Sequence, residues 1–370
     1  MKRIIIFSYD FPPNTGGISR LTEKIAWFLA ERYGEQHIIE VLTLFNSSRE
    51  FYHPNVKIIT VTPTLSGRTI EAYNYLSEIK DKENTIVICG LWWPEGVVTE
   101  IAGLKNTYIL THAAEIRPDN TWFRKKIWIP IVASSVLRRA KKIVANSEFT
   151  AKLSTTLSPK ARVECLPLAV DHNIFKPEYR IKNNSDIFKL LTVTRIQLWK
   201  GLDTILEALC NLPDTIRNKI VWEIAGKGPD TDLFLNMVKK TPISDQVRML
   251  GFVSDDDLPM LYANADLFLL CTREDVNSSN IEGFGLVFLE SQASGTPVIG
   301  TPFGGIPSAI ENNNGGWMIK DSHELTSLLE SLLTDPSELH HQGIMARKRV
   351  EDAYTWKHYI NSLSNIIGLE

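Results

Sequence analysis

The stretch I-E-G-F-G-L-V-F-L-E-S-Q-A-S-G-T-P-V-I-G, residues 281–300, shows the organisation of the chain most clearly. The apolar run after Gly285 predicts a helix that ends at Gly295, and Pro297–Gly300 predicts a short buried strand. A helix that leads directly into such a strand is typical of an α/β protein with a parallel sheet.

The same alternation of short apolar runs and helical patterns, such as Ile18–Tyr33, extends over almost the whole chain. In the first half the predicted strands are Ile4–Ser8, Ile38–Phe45, Val56–Val61, Ile86–Cys89, Tyr108–Thr111, Ile143–Ala145 and Val163–Leu166. In the second half they are Leu190–Val193, Val221–Ala225, Arg248–Phe252, Leu267–Leu270 and Pro297–Gly300. This pattern predicts parallel sheets covered by helices on both faces.

At 370 residues the chain is long enough for two domains of ordinary size. The polar stretch Asp171–Asp186 interrupts the alternation and is typical of a linker. We therefore predict two doubly wound α/β domains, residues 1–178 and 179–354, that face each other across a cleft. The tail beyond Tyr354 has a helical pattern, and we expect this helix, at about 355–370, to pack back on the first domain.

The composition excludes several classes of protein. Hydrophobic residues make up 44% of the chain and charged residues 22%, which is typical of a globular protein rather than a disordered one. No apolar run is long enough to span a bilayer, and the N-terminus resembles a first strand rather than a signal peptide, so we expect a cytoplasmic protein. The four cysteines form no C-x-x-C pair, which favours reduced thiols over a metal site.

The net charge of −3 is unevenly distributed. Residues 1–178 carry 23 Lys and Arg against 18 Asp and Glu, whereas the remainder carries 17 against 25. The stretch Trp122–Lys142 has seven basic residues and no acidic one, with Trp122 and Trp128 among them. Basic residues beside aromatic ones suit an anionic membrane surface. We therefore expect either peripheral docking at the inner face of a membrane or a basic face that is simply solvated.

Two glutamates, Glu282 and Glu290, flank the glycine-rich turn of the opening stretch. Gly283 and Gly285 let the backbone approach a ligand closely, and the N-terminus of the following helix suits a phosphate. Glu290 could accept two hydrogen bonds from a vicinal diol such as a ribose, and Glu282 could do the same for other hydroxyls. Taken alone, both residues could equally be solvated surface acids.

The run E-G-F-G-L-V-F-L-E resembles the E-x7-E signature of the retaining glycosyltransferases of family 4, the group 1 glycosyltransferases, which share the two-domain GT-B fold. Further segments stand in the order that the family shows, and the resemblance covers nearly the whole chain. These segments are P-P-N-T-G-G (Pro12–Gly17), T-H-A-A-E (Thr111–Glu115), A-N-S-E-F-T (Ala145–Thr150), P-L-A-V-D-H-N-I-F (Pro167–Phe175) and T-R-I-Q-L-W-K-G (Thr194–Gly201).

The resemblance implies transfer of a sugar from a nucleotide-sugar donor, without a metal or another cofactor, and we expect a UDP-sugar rather than a GDP-sugar. Arg195 and Lys200 would stabilise the charge that develops on the leaving diphosphate, although either cation could instead belong to a surface ion pair with an acidic side chain. Glu290 would hold the ribose and Glu282 the donor sugar, and His112 would contact that sugar from the first domain. The further donor-binding positions are Phe284, Gly285, Leu286, Gly16 and Gly17.

The acceptor is expected on the first domain, near Gly16 and Gly17, with Trp92, Trp93 and Glu115 as further candidates. By analogy with the family it would be a glycan or a lipid-linked molecule, in surface polysaccharide or lipopolysaccharide synthesis, and no nucleic acid partner is expected. No residue stands out as a general base. The family implies that the departing phosphate takes the acceptor proton on the same face, which gives retention.

Two motifs suggest other chemistry but have simpler explanations. Asp255–Asp257 resembles a metal-binding aspartate motif, yet it precedes a predicted helix, where acidic residues favour the helix dipole. Gly226–Thr231 begins like a dinucleotide fingerprint but lacks its third glycine. Two rival functions remain, a sugar-nucleotide epimerase of the same fold class and a non-catalytic nucleotide-sugar-binding subunit. The polar loop Arg273–Asn280 is long for the family, so the family's donor specificity does not carry over there.

Overall fold

A computed structural model describes residues 1–14, 16–44, 53–118, 121–180, 187–275 and 280–369. The chain forms two compact units. The first contains Met1–Pro167 and Trp356–Glu370, and the second contains Leu168–Val276 and Asn280–Thr355. The domain boundaries inferred from the sequence, after residues 178 and 354, stay predictions. Of the expected linker, the part up to Arg180 lies in the second unit, and residues 181–186 lie outside the described residues.

The first unit is built on a parallel sheet whose described strands follow the order β3-β2-β1-β4-β5-β6-β7. The strands are β1 (Arg3–Phe7), β2 (Ile38–Leu44), β3 (Val56–Val61), β4 (Thr85–Cys89), β5 (Thr107–Thr111), β6 (Lys142–Ala145) and β7 (Val163–Cys165). The helices between them are α1 (Gly17–Tyr33), α2 (Leu65–Ser77), α3 (Val97–Ile101), α4 (Ser134–Arg139) and α5 (Glu148–Leu157). Strands β4 and β5 are buried at every residue, as expected for central strands covered on both faces.

The second unit repeats this plan in the order β10-β9-β8-β11-β12-β13, again with parallel pairing. Its strands are β8 (Phe188–Val193), β9 (Ile220–Ala225), β10 (Val247–Gly251), β11 (Leu267–Leu270), β12 (Val298–Gly300) and β13 (Gly316–Met318). Its helices are α6 (Leu202–Cys210), α7 (Asp214–Arg217), α8 (Thr231–Val238), α9 (Leu258–Ala263), α10 (Leu286–Ala293), α11 (Ile306–Ala309), α12 (Ser322–Thr334) and α13 (Ser337–Ala353). The sequence does not predict β13, because three residues are too few to show a period.

The last helix, α14 (Trp356–Ile367), packs within the first unit. The ring of Trp356 stacks on Phe28 of α1 with the ring centroids 5.6 Å apart, and the Tyr108 hydroxyl donates to the carbonyl of Ile367 at 3.3 Å. Its buried residues recur every three or four positions, which is the pattern of an amphipathic helix. No helix among the described residues combines the length and the apolar composition needed to cross a bilayer.

The strand order shows where the predicted site residues lie in each sheet. It reverses between β1 and β4 in the first sheet and between β8 and β11 in the second. At such a switch point the loops that follow neighbouring strands turn to opposite faces of the sheet and leave a crevice in which ligands bind. The predicted fold class of two doubly wound parallel sheets is confirmed.

Candidate active site

A mostly buried ion pair joins the two loops at the switch point of the second sheet. Lys200 ends the 3-10 turn Leu198–Lys200 that follows β8, and Glu282 lies just before α10. The Nζ atom of Lys200 lies 2.7 Å from Glu282 Oε2, and the two side chains are 13% and 18% exposed. The same Nζ lies 4.1 Å from the centre of the Trp199 ring. The sequence predicts both charged residues as site residues but not their contact with each other.

A glycine makes this contact possible. Gly201 has a φ of 76°, in the left-handed region, and it precedes α6. A Cβ atom at this position would lie 1.8 Å from the carbonyl oxygen of Cys271, the residue after β11. Because only glycine tolerates both conditions, Gly201 lets the loop after β8 pack against the loop after β11. This packing holds Lys200 beside the segment that carries Glu282.

The second predicted cation, Arg195, also follows β8 but is exposed. No ion pair holds its guanidinium within the described ranges of the chain. The switch point therefore carries two cations in different states. Lys200 is neutralised by a carboxylate, whereas Arg195 is available to an anion from solution.

The glycine-rich turn presents backbone rather than side chains. Gly285 adopts a φ of 91° and precedes α10, while Leu286 begins the helix and is half-buried. Phe284 is 2% exposed and packs in the core, so its side chain is not accessible to a ligand and only its backbone could contact one. The N–H of Gly305 donates to the carbonyl of Glu282 at 2.8 Å and fixes the peptide before the turn. The first turn of α10 carries a partial positive charge that suits a phosphate.

Glu290 lies in the second turn of α10 and is only 4% exposed. The hydroxyl of Tyr262, in α9, donates to Glu290 Oε2 at 2.9 Å. The alternative that Glu290 is a solvated helix-surface acid is therefore wrong, because its carboxylate is buried and hydrogen-bonded. A carboxylate held in this way can still accept further hydrogen bonds, because ionised carboxylates have about four lone-pair positions.

In the first unit, His112 directly follows β5 and is half-buried. Its Nε2 lies 3.0 Å from the carbonyl oxygen of Gly90, so this nitrogen carries the hydrogen and donates it. The backbone N–H of His112 donates to Glu115 Oε1 at 2.7 Å. The next residue, Ala113, has a φ of 86°, which alanine rarely adopts. This strained turn and the two hydrogen bonds fix the orientation of the imidazole.

The two neighbouring tryptophans differ in accessibility. Trp92 is 2% exposed and donates from Nε1 to the carbonyl of Glu115 at 3.1 Å, so it supports the turn after β5. Trp93 is 45% exposed, and of the two it is the ring that a ligand can reach. An acceptor role for Trp92, Trp93 or Glu115 stays a prediction.

Gly16 and Gly17 lie at the start of α1, after the loop that follows β1. A Cβ atom on Gly16 would lie 3.9 Å from Asp10 Oδ2, and one on Gly17 would meet open space. Asp10 is not among the residues predicted from the sequence, although it stands two positions beyond the end of the predicted strand Ile4–Ser8. Burial raises the pKa of its carboxyl group, while a hydrogen bond with Asn14 and attraction to His112 oppose that rise. Polar side chains therefore lie at the switch point of the first sheet.

A second carboxylate that was not predicted from the sequence, Glu95, lies in the segment after β4 and is 1% exposed. Its Oε1 accepts the Tyr9 N–H at 3.1 Å, whereas its Oε2 has no partner in the part of the chain that the structure describes. Burial raises the pKa of Glu95 to about 7, although backbone hydrogen bonds and the charge of Arg68 oppose this.

The two motifs that suggest other chemistry, Asp255–Asp257 and Gly226–Thr231, have structural roles. Asp257 precedes α9 and accepts a hydrogen bond from Ser254 Oγ at 2.5 Å. Across the described ranges, no group of three or more His, Cys, Asp or Glu side chains is arranged to hold a metal ion. In the other motif the Gly226 N–H donates to the carbonyl of Gly251 at 2.6 Å, which joins the loop after β9 to the end of β10.

The basic stretch forms a π-helical segment, Arg124–Ala133, that continues into α4. Four large apolar side chains on this part of the first unit are more than 40% exposed, namely Trp93, Trp122, Phe123 and Ile131. We call these four residues, together with the exposed Lys125 and Lys126, the aromatic–basic patch. Two other cations of the stretch are neutralised, since Arg139 pairs with Glu100 at 2.7 Å and Lys142 pairs with Glu164 at 3.0 Å.

The comparison with known families is specific to the second unit. Residues 175–349 match the family described as Glycosyl transferases group 1. This segment belongs to the group 1 glycosyltransferases. Over 96% of its length, this glycosyltransferase is 26% identical to the GDP-mannose-dependent alpha-(1-6)-phosphatidylinositol monomannoside mannosyltransferase of Mycobacterium tuberculosis, of which the match covers 95%.

Solved structures show the same fold for the whole glycosyltransferase. Anabaena HepE in complex with UDP superposes with a TM-score of 0.77 at 17% identity, and the match covers 100% of both chains. WaaG, a glycosyltransferase involved in lipopolysaccharide biosynthesis, superposes with a TM-score of 0.69 at 19% identity, and the match covers 98% of this chain and 99% of WaaG. At these identities the likeness establishes the architecture rather than the substrate.

Proposed function

We propose that this glycosyltransferase moves a sugar from a nucleotide-sugar donor to a hydroxyl of a glycan or lipid-linked acceptor, with retention of the anomeric configuration. The observation that carries the proposal is the switch point of the second sheet. Two cations follow β8, and a carboxylate and a helix N-terminus follow β11. This combination suits a sugar diphosphate, because cations and N–H groups bind the phosphates and the carboxylate binds hydroxyls.

Each residue has a role in this proposal. Arg195 and Lys200 bind the diphosphate, and Glu282 with the backbone of Phe284 and Gly285 binds the donor sugar. Glu290 binds the ribose, and the N–H groups from Leu286 onward face a phosphate. In the first unit His112 contacts the donor sugar, and Gly16 and Gly17 give backbone contacts to donor phosphate or acceptor. The cations stabilise charge that grows on the leaving group, which lowers the barrier of the transfer step.

The bond changes in the proposed step are balanced without a protein base. The bond between the anomeric carbon and the diphosphate oxygen breaks, and a bond to the acceptor oxygen forms on the same face. The acceptor proton passes to the departing diphosphate. NMR of the product early in the reaction tests this step, because retention keeps the anomeric configuration of the donor whereas inversion reverses it.

For the donor, we propose GDP-mannose as the first compound to test, because the mycobacterial relative, matched over almost its whole length, is named as GDP-mannose-dependent. The expectation of a UDP-sugar stays an alternative, and HepE binds UDP. A thermal-shift assay with GDP, UDP and NAD separates these donors. A ligand at a hundred times its dissociation constant adds roughly 2.7 kcal/mol of stability, and a metal-independent enzyme should keep that shift in EDTA.

The assay also separates the rival functions. A shift with NAD alone, or with none of the three, would overturn the proposed donor site. A sugar-nucleotide epimerase would convert its nucleotide-sugar without any acceptor, whereas a transferase releases nucleoside diphosphate in proportion to glycosylated acceptor. A non-catalytic subunit would bind the nucleotide and turn over neither substrate.

We further propose that the aromatic–basic patch docks on an anionic membrane, where a lipid-linked acceptor would lie. Exposed aromatic rings favour the headgroup region, and lysines attract anionic lipids. Vesicle co-sedimentation tests this, with a double variant in which Lys125 and Lys126 become glutamate. Binding that needs anionic lipid and is lost in the variant supports docking. Equal recovery of the protein with anionic and neutral vesicles would show that the patch is simply a solvated face.

A further inference from the structure

The buried hydrogen bond between α9 and α10 suggests a role that goes beyond the donor contacts proposed above. The hydroxyl of Tyr262 donates to Glu290 Oε2 at 2.9 Å, and both side chains are buried, with exposures of 0% and 4%. A tyrosine on one helix thereby fixes the carboxylate on the next. Among the residues that the sequence singles out as donor-binding, Glu290 is the one whose carboxylate is held by a phenol.

The phenol itself is rigidly held. The ring of Tyr262 meets Phe175 edge-on with the centroids 5.8 Å apart, and it packs on Phe268 of β11 at 5.7 Å. Its backbone carbonyl accepts a hydrogen bond from Thr296 Oγ1 at 2.8 Å. Since both ring and backbone are fixed, the hydroxyl has one position from which to donate, and the carboxylate that it meets is restricted to one rotamer.

We propose that Tyr262 is a positioning residue for ribose recognition, which holds the Glu290 carboxylate so that its remaining lone pairs face the two hydroxyls of the nucleotide ribose. The inference rests on the proposed function, in which Glu290 binds the ribose. The phenol donates one hydrogen bond and so uses only one lone pair of the carboxylate. The ribose diol needs two further acceptor positions in a fixed orientation. Preorganising the carboxylate avoids the loss of side-chain entropy when the ligand binds.

The alternative is that Tyr262 is only a core residue, and ribose-modified nucleotides separate the two roles. The probes are GDP or UDP, whichever gives the larger thermal shift, and the 2′,3′-dideoxy analogue of the same nucleotide. Isothermal titration calorimetry of Tyr262→Phe should show about tenfold weaker binding of the natural nucleotide. Binding of the dideoxy analogue should change by less than about twofold, since it has no hydroxyls to lose. If Tyr262→Phe weakened the binding of both nucleotides equally, or weakened the binding of neither, the inference would be overturned.

Three further variants make the test decisive. Tyr354→Phe removes a phenol that accepts a hydrogen bond from Arg349 at 2.8 Å in the same unit. This variant should change the affinity for neither nucleotide. Phe175→Leu loosens the Tyr262 ring but keeps its hydroxyl, and it should give a smaller loss that is confined to the natural nucleotide. Glu290→Gln should also discriminate between the two nucleotides, that is, it should weaken binding of the natural nucleotide more than binding of the dideoxy analogue. If Glu290→Gln fails to discriminate, the proposed ribose contact itself fails; if it discriminates and Tyr262→Phe does not, only the positioning role fails.

Discussion

The Lys200 ammonium and the Glu282 carboxylate form an ion pair at 2.7 Å across the switch point of the second sheet. Under the proposed function both groups bind the donor, Lys200 through the diphosphate and Glu282 through the sugar. Each therefore neutralises the other before the donor arrives, which avoids leaving a mostly buried charge unpaired. The donor diphosphate has to compete with Glu282 for Lys200.

This competition predicts opposite effects on binding and on transfer. In Glu282→Gln the ammonium of Lys200 has no carboxylate partner, so we expect GDP or UDP to bind at least as tightly as to the wild type. Transfer should fall by roughly 100-fold or more, because the contact with the donor sugar is lost. Calorimetry measures the first quantity and a radiometric transfer assay the second. Weaker nucleotide binding in the variant would contradict the competition.

The exposed guanidinium of Arg195 predicts a contribution to diphosphate affinity alone. Arg195→Ala should weaken binding of the nucleoside diphosphate about tenfold, the effect of one charge-assisted hydrogen bond, and should leave binding of the free nucleoside unchanged. The matched control is Arg248→Ala, which removes an exposed arginine that pairs with Glu223 at 3.7 Å in the same unit. Equal losses in the two variants would point to general electrostatics instead of a phosphate contact.

The close packing at Gly201 predicts a steric requirement. Gly201→Ala places a Cβ atom 1.8 Å from the Cys271 carbonyl oxygen at a φ of 76°, so the free energy of unfolding should fall by about 2 kcal/mol or more. Gly17→Ala is the control, because its Cβ meets open space and should change stability by less than about 1 kcal/mol. Urea denaturation compares the two. A stable Gly201→Ala protein would show that the loop can move without loss.

The buried Glu95 predicts a dependence of stability on pH. Its pKa is raised from 4.5 to about 7, so between these values the folded chain holds a proton that the unfolded chain has released. The free energy of unfolding therefore falls as pH rises through this range, by about 3 kcal/mol in total, and the contribution is fully present only below pH 4.5.

Glu95→Gln lacks this proton, so its stability relative to the wild type should improve steadily from pH 5 to pH 8. Urea denaturation at several pH values measures the difference, with the exposed Glu35→Gln as the control that should show no such trend. A difference between Glu95→Gln and wild type that is independent of pH would contradict the assignment.

Much of the fold follows from local patterns in the sequence. The apolar run Leu267–Leu270 coincides with β11, because buried parallel strands need continuous apolar side chains. The predicted strand Val56–Val61 coincides with β3, which lies at the edge of its sheet and buries only Val61. The predicted strand Ile38–Phe45 coincides with β2 as far as Leu44, and Phe45 lies outside the described residues. Short elements without a period, such as β13, depend on pairing with a neighbouring strand and cannot be read locally.

The site was predictable in its residues but not in its contacts. Motif order singled out Glu282 and Lys200, yet their ion pair depends on the approach of the loops at Gly201 and Cys271, which no local pattern encodes. Glu95 and Tyr262 carry no motif, since their importance comes from burial and from partners distant in the sequence. Of the predicted loop Arg273–Asn280, residues 276–279 lie outside the described residues.

The most direct test of the account is sugar transfer by the wild type and by Glu282→Ala. Purified protein would be incubated with radiolabelled GDP-mannose or UDP-glucose and a lipid extract, and the labelled product and the released nucleotide would be measured together. The account predicts that the wild type forms both in equal amounts from one of the donors. It also predicts that Glu282→Ala binds the nucleotide, unfolds cooperatively and transfers no sugar. Turnover by Glu282→Ala at the wild-type rate would contradict the assignment of the active site.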